Sequence, residues 1–192
     1  MYEVEIKVPA TLATVRDRLE ALGAGKRGAV VQIDTYYDAP HRSFAETDEA
    51  LRIREERLQA EAVDDSTSSA DGEERDTRLT YKGPLIDVGS KTREEHETGL
   101  EDGPAMRSAL EALGFEPAAT VRKARERYGF EGFTITLDLV DGVGEFVEIE
   151  AETASESEIE TLRTEAGSVL ERLHLDVAEQ VRTSYLELTL SE

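Results

Sequence analysis

The feature that most constrains the fold is a set of eight segments in which polar and apolar residues alternate at a period of two. In residues 133–140, for example, aromatic and aliphatic side chains alternate with Thr134, Thr136 and Asp138. Such alternation predicts β-strands with one apolar and one polar face. The predicted strands are residues 2–8, 29–37, 50–57, 78–82, 91–98, 120–128, 133–140 and 145–151, with 183–190 as a ninth candidate.

Strands of this kind can be arranged in two ways. In a sandwich the apolar faces meet and the charged faces meet water. In a closed barrel the charges can point inward, provided that amphipathic helices cover the apolar outside. Helical spacing of apolar residues over 10–22, 104–113 and 155–173 supplies such helices, the last opening on a predicted capping box of Ser155 and Glu158. Periodicity alone leaves both architectures open.

The overall charge is strongly negative, with 22 Lys and Arg against 43 Asp and Glu and a net charge of −21. This balance excludes a generally basic surface for nucleic acid or an anionic membrane. Lys is scarce relative to Arg, and such an acidic surface is typical of proteins from salt-accumulating halophiles. The sequence shows no membrane-spanning run, no secretory signal and no cysteine, so we expect a cytoplasmic protein.

The length of 192 residues suits a single domain, and we predict one domain over residues 1–192. Within it, residues 61–76 are polar and acidic and have no periodicity. This composition predicts a flexible insertion between two strands.

Against the acidic background, nine basic residues lie in or beside the predicted strands: Lys7, Arg52, Arg54, Lys82, Arg93, Lys123, Arg125, Arg127 and Arg182. Five carboxylates occupy the same polar faces: Glu3, Glu5, Asp138, Glu148 and Glu150. A cavity that holds both sets is stable only if each charge is matched. A polyphosphate bridged by hard divalent cations would match both sets. Taken alone, each Glu-x-Glu pair is also typical of a solvated strand face.

Several of these residues fall in motifs whose order along the chain resembles the CYTH superfamily, the triphosphate tunnel metalloenzymes. The first motif is Glu3-Val4-Glu5-Ile6-Lys7, which matches the ExExK signature of that superfamily. The others follow in family order: Asp34-Thr35-Tyr36-Tyr37-Asp38, Leu51-Arg52-Ile53-Arg54, Thr80-Tyr81-Lys82-Gly83-Pro84, Arg93-Glu94-Glu95, Lys123-Ala124-Arg125, Leu137-Asp138 and Val147-Glu148-Ile149-Glu150.

The resemblance implies an α+β fold, in which an eight-stranded antiparallel closed barrel forms a tunnel and helices pack outside. By the same resemblance, Mg²⁺ or Mn²⁺ would be held by Glu3, Glu5, Asp138, Glu148 and Glu150. The triphosphate would be bound by Lys7, Arg52, Arg54, Lys82, Arg93, Lys123, Arg125 and Arg182. The catalytic set would be Glu3, Glu5, Lys7, Asp138, Glu148 and Glu150, and the 61–76 insertion would lie outside the tunnel.

Within the superfamily, the chain is most similar to class IV adenylyl cyclases and their archaeal relatives. The resemblance therefore implies conversion of ATP to cyclic AMP and pyrophosphate. An alternative is hydrolysis of thiamine triphosphate or inorganic triphosphate, and a third is a nucleotide- or polyphosphate-binding module without turnover. In each case the expected partner is a small-molecule triphosphate and no nucleic acid or membrane, with the protein a monomer or homodimer.

Overall fold

The fold is described by a computed structural model, which covers residues 2–59, 75–87 and 92–191. In these residues eight strands form one closed barrel, in the order β1-β5-β4-β3-β2-β6-β7-β8. Every neighbouring pair is antiparallel. The strands are β1 Tyr2–Pro9, β2 Gly25–Asp38, β3 Ala50–Leu58, β4 Arg75–Asp87, β5 Thr92–Gly99, β6 Glu116–Phe130, β7 Phe133–Val140 and β8 Gly144–Thr153.

Helices connect and cover these strands. Their bounds are α1 Leu12–Ala21, α2 Phe44–Thr47, α3 Gly103–Ala112, α4 Ile159–Arg172 and α5 Tyr185–Leu190, with 3₁₀ turns at Glu156–Glu158 and Val177–Glu179. The predicted helices over 10–22, 104–113 and 155–173 correspond to α1, α3 and α4. None of the helices in the described part of the chain is long and apolar enough to be a membrane span.

The alternation seen in the sequence separates the two sides of the barrel wall. On β7, Ile135 and Leu137 are buried on the outer side, where they join the apolar core formed with α1 and α4. Thr136 and Asp138, on the other face of the same strand, are also fully buried. The charged faces therefore point into the barrel, so the closed-barrel arrangement is confirmed and the sandwich is wrong.

The apolar core lies between the barrel wall and the helices. One cluster joins β1, β7 and β8 to α1 and α4, with Leu19 and Leu170 fully buried. A second cluster packs α3 against β2 and β3 through Leu110, and a third packs α5 on the wall through Tyr185. Because the hydrophobic core is outside the barrel, the interior is free to hold charged side chains.

The prediction of a ninth strand over 183–190 is wrong, because residues 185–190 form α5. Leucines at every second position imitate a strand there, but Ser184 starts a helix with a full capping box. The Ser184 Oγ accepts a hydrogen bond from the Glu187 amide at 3.1 Å, and the Glu187 carboxylate accepts one from the Ser184 amide at 2.6 Å. These two bonds satisfy amides that have no partner within the helix at its N-terminus, and so stabilise the start of α5.

Two further expectations need correction. Ser155 makes no side-chain cap; a 3₁₀ turn follows it, α4 begins only at Ile159, and Glu158 instead accepts a hydrogen bond from Thr153. Of the predicted flexible insertion over 61–76, Arg75 and Asp76 belong to β4, and the remainder lies outside the described residues. The short helix α2 was not predicted, because four residues are too few for a helical pattern.

The packing of α3 can be tested with two leucines three residues apart. Leu110 is 7% exposed in the core against β2 and β3, whereas Leu113 is 69% exposed. We expect Leu110→Ala to lower the free energy of unfolding by about 2–5 kcal/mol, because it leaves a cavity. Leu113→Ala should change it by less than about 0.5 kcal/mol. Urea unfolding of both variants in molar KCl measures this, and equal effects would contradict the packing.

Candidate active site

The barrel encloses a cavity of about 310 Å³ whose walls are charged. Its basic residues are Lys7, Arg52, Arg54, Lys82, Arg93, Lys123, Arg125 and Arg127. Its acidic residues include Glu3, Glu5, Glu148 and Glu150. Most residues predicted to bind metal or triphosphate therefore share one cavity. Among the described residues, the predicted Asp138 and Arg182 are not part of its lining.

Three carboxylates in this cavity, which we call the acid cluster, come together from β1 and β8. They are Glu3, Glu5 and Glu150, and their ligand oxygens all lie within 4.8 Å of one another. Glu3 and Glu5 are two positions apart on one strand, and Glu150 is paired with Glu5 across the sheet. Like charges placed so closely repel each other unless a cation lies between them. Hard carboxylate oxygens in such a group fit Mg²⁺ or Mn²⁺.

The protonation of the acid cluster reflects this crowding. Burial is the largest cause that raises the pKa of Glu150 to about 8, and the nearby charges of Glu148, Glu3 and Glu5 raise it further against the opposing effect of Arg125. Burial also acts on Glu3, but Lys82 outweighs it and lowers the pKa of Glu3 to about 2. The cluster thus holds a proton that a bound cation would displace.

Arg125, on β6, is the centre of a set of buried ion pairs next to the acid cluster. Its Nε donates to Asp138 Oδ1 at 2.7 Å, its Nη2 to Asp138 Oδ2 at 2.5 Å, and its Nη1 to Glu150 Oε1 at 3.2 Å. It also donates to Glu148. Burial opposes the charged state of Arg125, but these carboxylates outweigh it and raise the pKa well above its usual value.

Asp138 has a different position from the other predicted carboxylates. It is fully buried, faces Arg125 directly across the β6–β7 pair, and accepts a hydrogen bond from Lys123 at 3.3 Å. Its described partners are therefore cations, and it lies outside the acid cluster. In this structure Asp138 orients Arg125, and its assignment as a metal ligand stays a prediction.

Other carboxylates to which the sequence analysis gave no role also hold cations of the cavity, and Asp34 and Glu95 are two of them. Asp34 accepts hydrogen bonds from Arg54 Nε and Nη2, both at 2.7 Å. Glu95 forms an ion pair with Lys82 at 2.8 Å, and Lys82 also donates to Glu3. Glu95 could have been found from its position, since it follows Arg93 by two residues on one strand. The role of Asp34 could be identified only from the pairing register of β2 and β3, which places it opposite Arg54.

The C-terminal segment completes one end of the cavity. Lys7 Nζ donates to the Thr183 carbonyl at 2.7 Å and lies 4.1 Å from the centre of the Tyr185 ring. Lys123 Nζ lies 4.8 Å from the same ring. Burial, followed by the charge of Arg125, lowers the pKa of Lys123 to about 8. Arg182, by contrast, is exposed, so this segment contributes an aromatic ring in place of the predicted cation.

Comparison with known proteins gives the family. The CYTH domain model matches residues 1–185 of this chain. The chain belongs to the CYTH family. A Methanocaldococcus jannaschii protein whose name proposes adenylate cyclase activity is 38% identical over 189 residues, which is 98% of each protein.

Solved structures agree with the CYTH assignment. The PH1819 protein of Pyrococcus horikoshii is 37% identical, and the match covers 98% of each chain with a TM-score of 0.86. The fold is also shared with the Hippeastrum protein HpAC1, described as a proposed adenylyl cyclase with a dominant triphosphatase activity. That protein is 18% identical, with 99% of this chain and 95% of the other covered and a TM-score of 0.61.

The protonated state of the acid cluster predicts that cation binding releases protons. With its pKa near 8, Glu150 is mostly protonated at pH 7 and must lose its proton to bind a cation. We expect release of close to one proton per Mg²⁺ or Mn²⁺ at pH 7, and affinity that rises from pH 6 to pH 8. Calorimetry in buffers of different ionisation enthalpy measures both.

Glu150→Gln is the control for this measurement, because it removes the titrating group and should remove most of the proton release. Cation binding without proton release in the unaltered protein, or affinity that does not change with pH, would contradict the assignment.

Proposed function

We propose that this CYTH protein is a metal-dependent enzyme that binds a nucleoside triphosphate in the barrel and converts ATP to cyclic AMP and pyrophosphate. The observation that carries the proposal is the acid cluster placed beside a wall of buried cations in one cavity. Such a site offers ligands for a divalent ion and donors for a triphosphate at the same time. The name of the 38% identical relative supports the cyclase reaction.

In the proposed complex, the triphosphate is bound by Lys7, Arg52, Arg54, Lys82, Lys123 and Arg125. These side chains would stabilise the charge that builds on the leaving pyrophosphate. The proposed metal ligands are Glu3, Glu5 and Glu150, with Glu148 beside them. A divalent ion bound there supplies charge neutralisation and lowers the pKa of the attacking 3′ hydroxyl. The cavity walls orient ATP so that this hydroxyl faces the α-phosphorus.

The rim of the cavity has a different character from its walls. Because adjacent strands are antiparallel, β1 and β2 end at the same rim, which α2 and the C-terminal segment cover. There the lining includes Phe44, Ala45, Ala118, Leu186 and Leu190. Apolar residues next to a cation-lined cavity suit a triphosphate that carries an organic group. This supports a nucleotide over inorganic triphosphate.

Triphosphate hydrolysis is the second candidate, because the cations that line the cavity recognise the phosphates and not the group attached to them. A water molecule would then attack the terminal phosphorus, and thiamine triphosphate or tripolyphosphate would serve as substrate. Binding without turnover is the third candidate.

Product identification distinguishes the three. The protein is incubated with ATP, thiamine triphosphate or tripolyphosphate, with Mg²⁺ or Mn²⁺ in molar KCl, and the products are separated by chromatography. We expect cyclic AMP and pyrophosphate from ATP, because the rim suits a nucleoside. If the reaction yields orthophosphate without cyclic AMP, the assigned function becomes triphosphate hydrolysis. If the ligand binds and no product forms, the protein is a binding module.

Glu5→Gln tests whether the reaction occurs in this cavity. The change removes a charge from the acid cluster and should lower turnover by more than about 100-fold while the unfolding temperature stays close to that of the unaltered protein. Glu126→Gln is the matched control, since Glu126 pairs with Arg16 and Lys26 at a position outside the cavity lining. Undiminished turnover in Glu5→Gln would contradict the proposed site.

A further inference from the structure

Arg93 makes contacts that set it apart from the other basic residues of the cavity. Its Nη2 donates to Asp48 Oδ1 at 2.6 Å, and its Nη1 donates to the Gly83 carbonyl at 2.9 Å and to the Asp48 carbonyl. The side chain is buried, whereas the Asp48 side chain is 51% exposed. Arg93 therefore connects the inside of the barrel to a residue at its rim.

The partners of Arg93 determine what the residue can do when a ligand binds. Lys82 is held by Glu3, and Arg125 is held by Glu150, both members of the acid cluster. A divalent ion in that cluster would bind these carboxylates and release the donors that point at them, while Asp138, Glu148 and Glu95 remain partners of the two cations. Asp48 is outside the cluster, and the other acceptors of Arg93 are backbone carbonyls. Cation binding in the cluster therefore does not release Arg93, just as it does not release Arg54 from Asp34; what distinguishes Arg93 is that its partner Asp48 ends α2.

What Arg93 holds in place is α2. The Asp38 carboxylate accepts hydrogen bonds from the Phe44 amide at 2.8 Å and the Ala39 amide at 3.0 Å, and so fixes the start of the helix. Asp48 ends the helix in the left-handed conformation, with φ of 55°, where Arg93 binds both its carboxylate and its carbonyl. The helix held at both ends presents Phe44 and Ala45 to the cavity.

We propose that Arg93 is a positioning residue for the nucleoside of the substrate and not part of the triphosphate grip. By holding Asp48 and Gly83, it fixes α2 as one wall of the place where a planar base lies, next to Phe44 and Ala45. Leu186 and Leu190 of α5 also belong to the lining of the cavity and add apolar surface to it. This inference rests on the proposed function, since it assigns a role within the same cavity.

The test compares two ligands that both carry three linked phosphorus groups, of which only one carries a nucleoside. Binding of tripolyphosphate and of α,β-methylene ATP is measured by calorimetry with Mg²⁺ in 1 M KCl. At that salt concentration the Debye length is about 3 Å, which screens charges exposed to solvent; a buried charge is screened much less, so Arg93→Met is compared with a second variant that loses a cavity charge. Arg93→Met should weaken binding of the ATP analogue about 10-fold, the scale of one base contact, and leave that of tripolyphosphate within about 2-fold.

Arg52→Met is the matched control, because Arg52 lines the cavity and belongs to the proposed grip. It should weaken both ligands by similar factors. Asp48→Gly is a second variant that keeps Arg93 and tolerates the positive φ. It should reproduce the selective loss of the ATP analogue in a milder form, since the carbonyl at position 48 remains. Unfolding temperatures of all three variants verify that each one is folded.

Each other outcome overturns a defined part of the account. Equal weakening of both ligands by Arg93→Met, or tighter tripolyphosphate binding by Asp48→Gly, would show that Arg93 binds phosphate. Unchanged binding of both ligands in Arg93→Met would remove the positioning role and leave the proposed function intact. Failure of the unaltered protein to bind either ligand would overturn the proposed function, and this inference with it.

Discussion

The structure depends on the pairing of charges that the closed barrel removes from water. A buried ion is stable only when an opposite charge and hydrogen bonds replace its hydration. Arg125 shows how fully this requirement is met, since Asp138, Glu148 and Glu150 all accept hydrogen bonds from its guanidinium. Arg54 with Asp34, and Lys82 with Glu3 and Glu95, repeat the arrangement around the wall.

This pairing explains how one cavity can suit both a cation and an anion. In the structure the carboxylates and the basic side chains neutralise each other. When a divalent ion and a triphosphate enter together, the ion can bind the carboxylates and the phosphates can bind the basic side chains. Every charged group then keeps a partner of opposite charge. Either ligand alone would leave one set unmatched, which is costly in a buried site. We therefore expect the two ligands to bind with positive coupling.

The period-two pattern of the sequence predicted the strands and their polar faces but left the sandwich and the barrel open, and the resemblance to the CYTH superfamily decided for the barrel. Glu3, Glu5 and Glu150 could be assigned to one face from their spacing, and the structure brings them together. Periodicity gives the face of a strand but not the residue on the opposite strand, so it could not show that Asp138 is paired with Arg125 and lies outside the acid cluster.

The residues that were missed depend on contacts between distant parts of the chain. Tyr185 reaches Lys7 because the last helix covers one end of the barrel, and the alternating leucines of that helix imitate a strand. Asp48 reaches Arg93 through a four-residue helix that leaves no periodic signal. Local patterns contain no information about either contact, because both depend on how the barrel closes.

The exchange of partners is tested most directly by a crystal structure with Mn²⁺ and tripolyphosphate bound together. We predict an anomalous Mn²⁺ peak at Glu3, Glu5 and Glu150, with Lys82 Nζ moved from the Glu3 carboxylate to a phosphate oxygen. Tripolyphosphate bound outside the barrel, or a complex in which Lys82 still contacts Glu3 and no phosphate, would contradict the account.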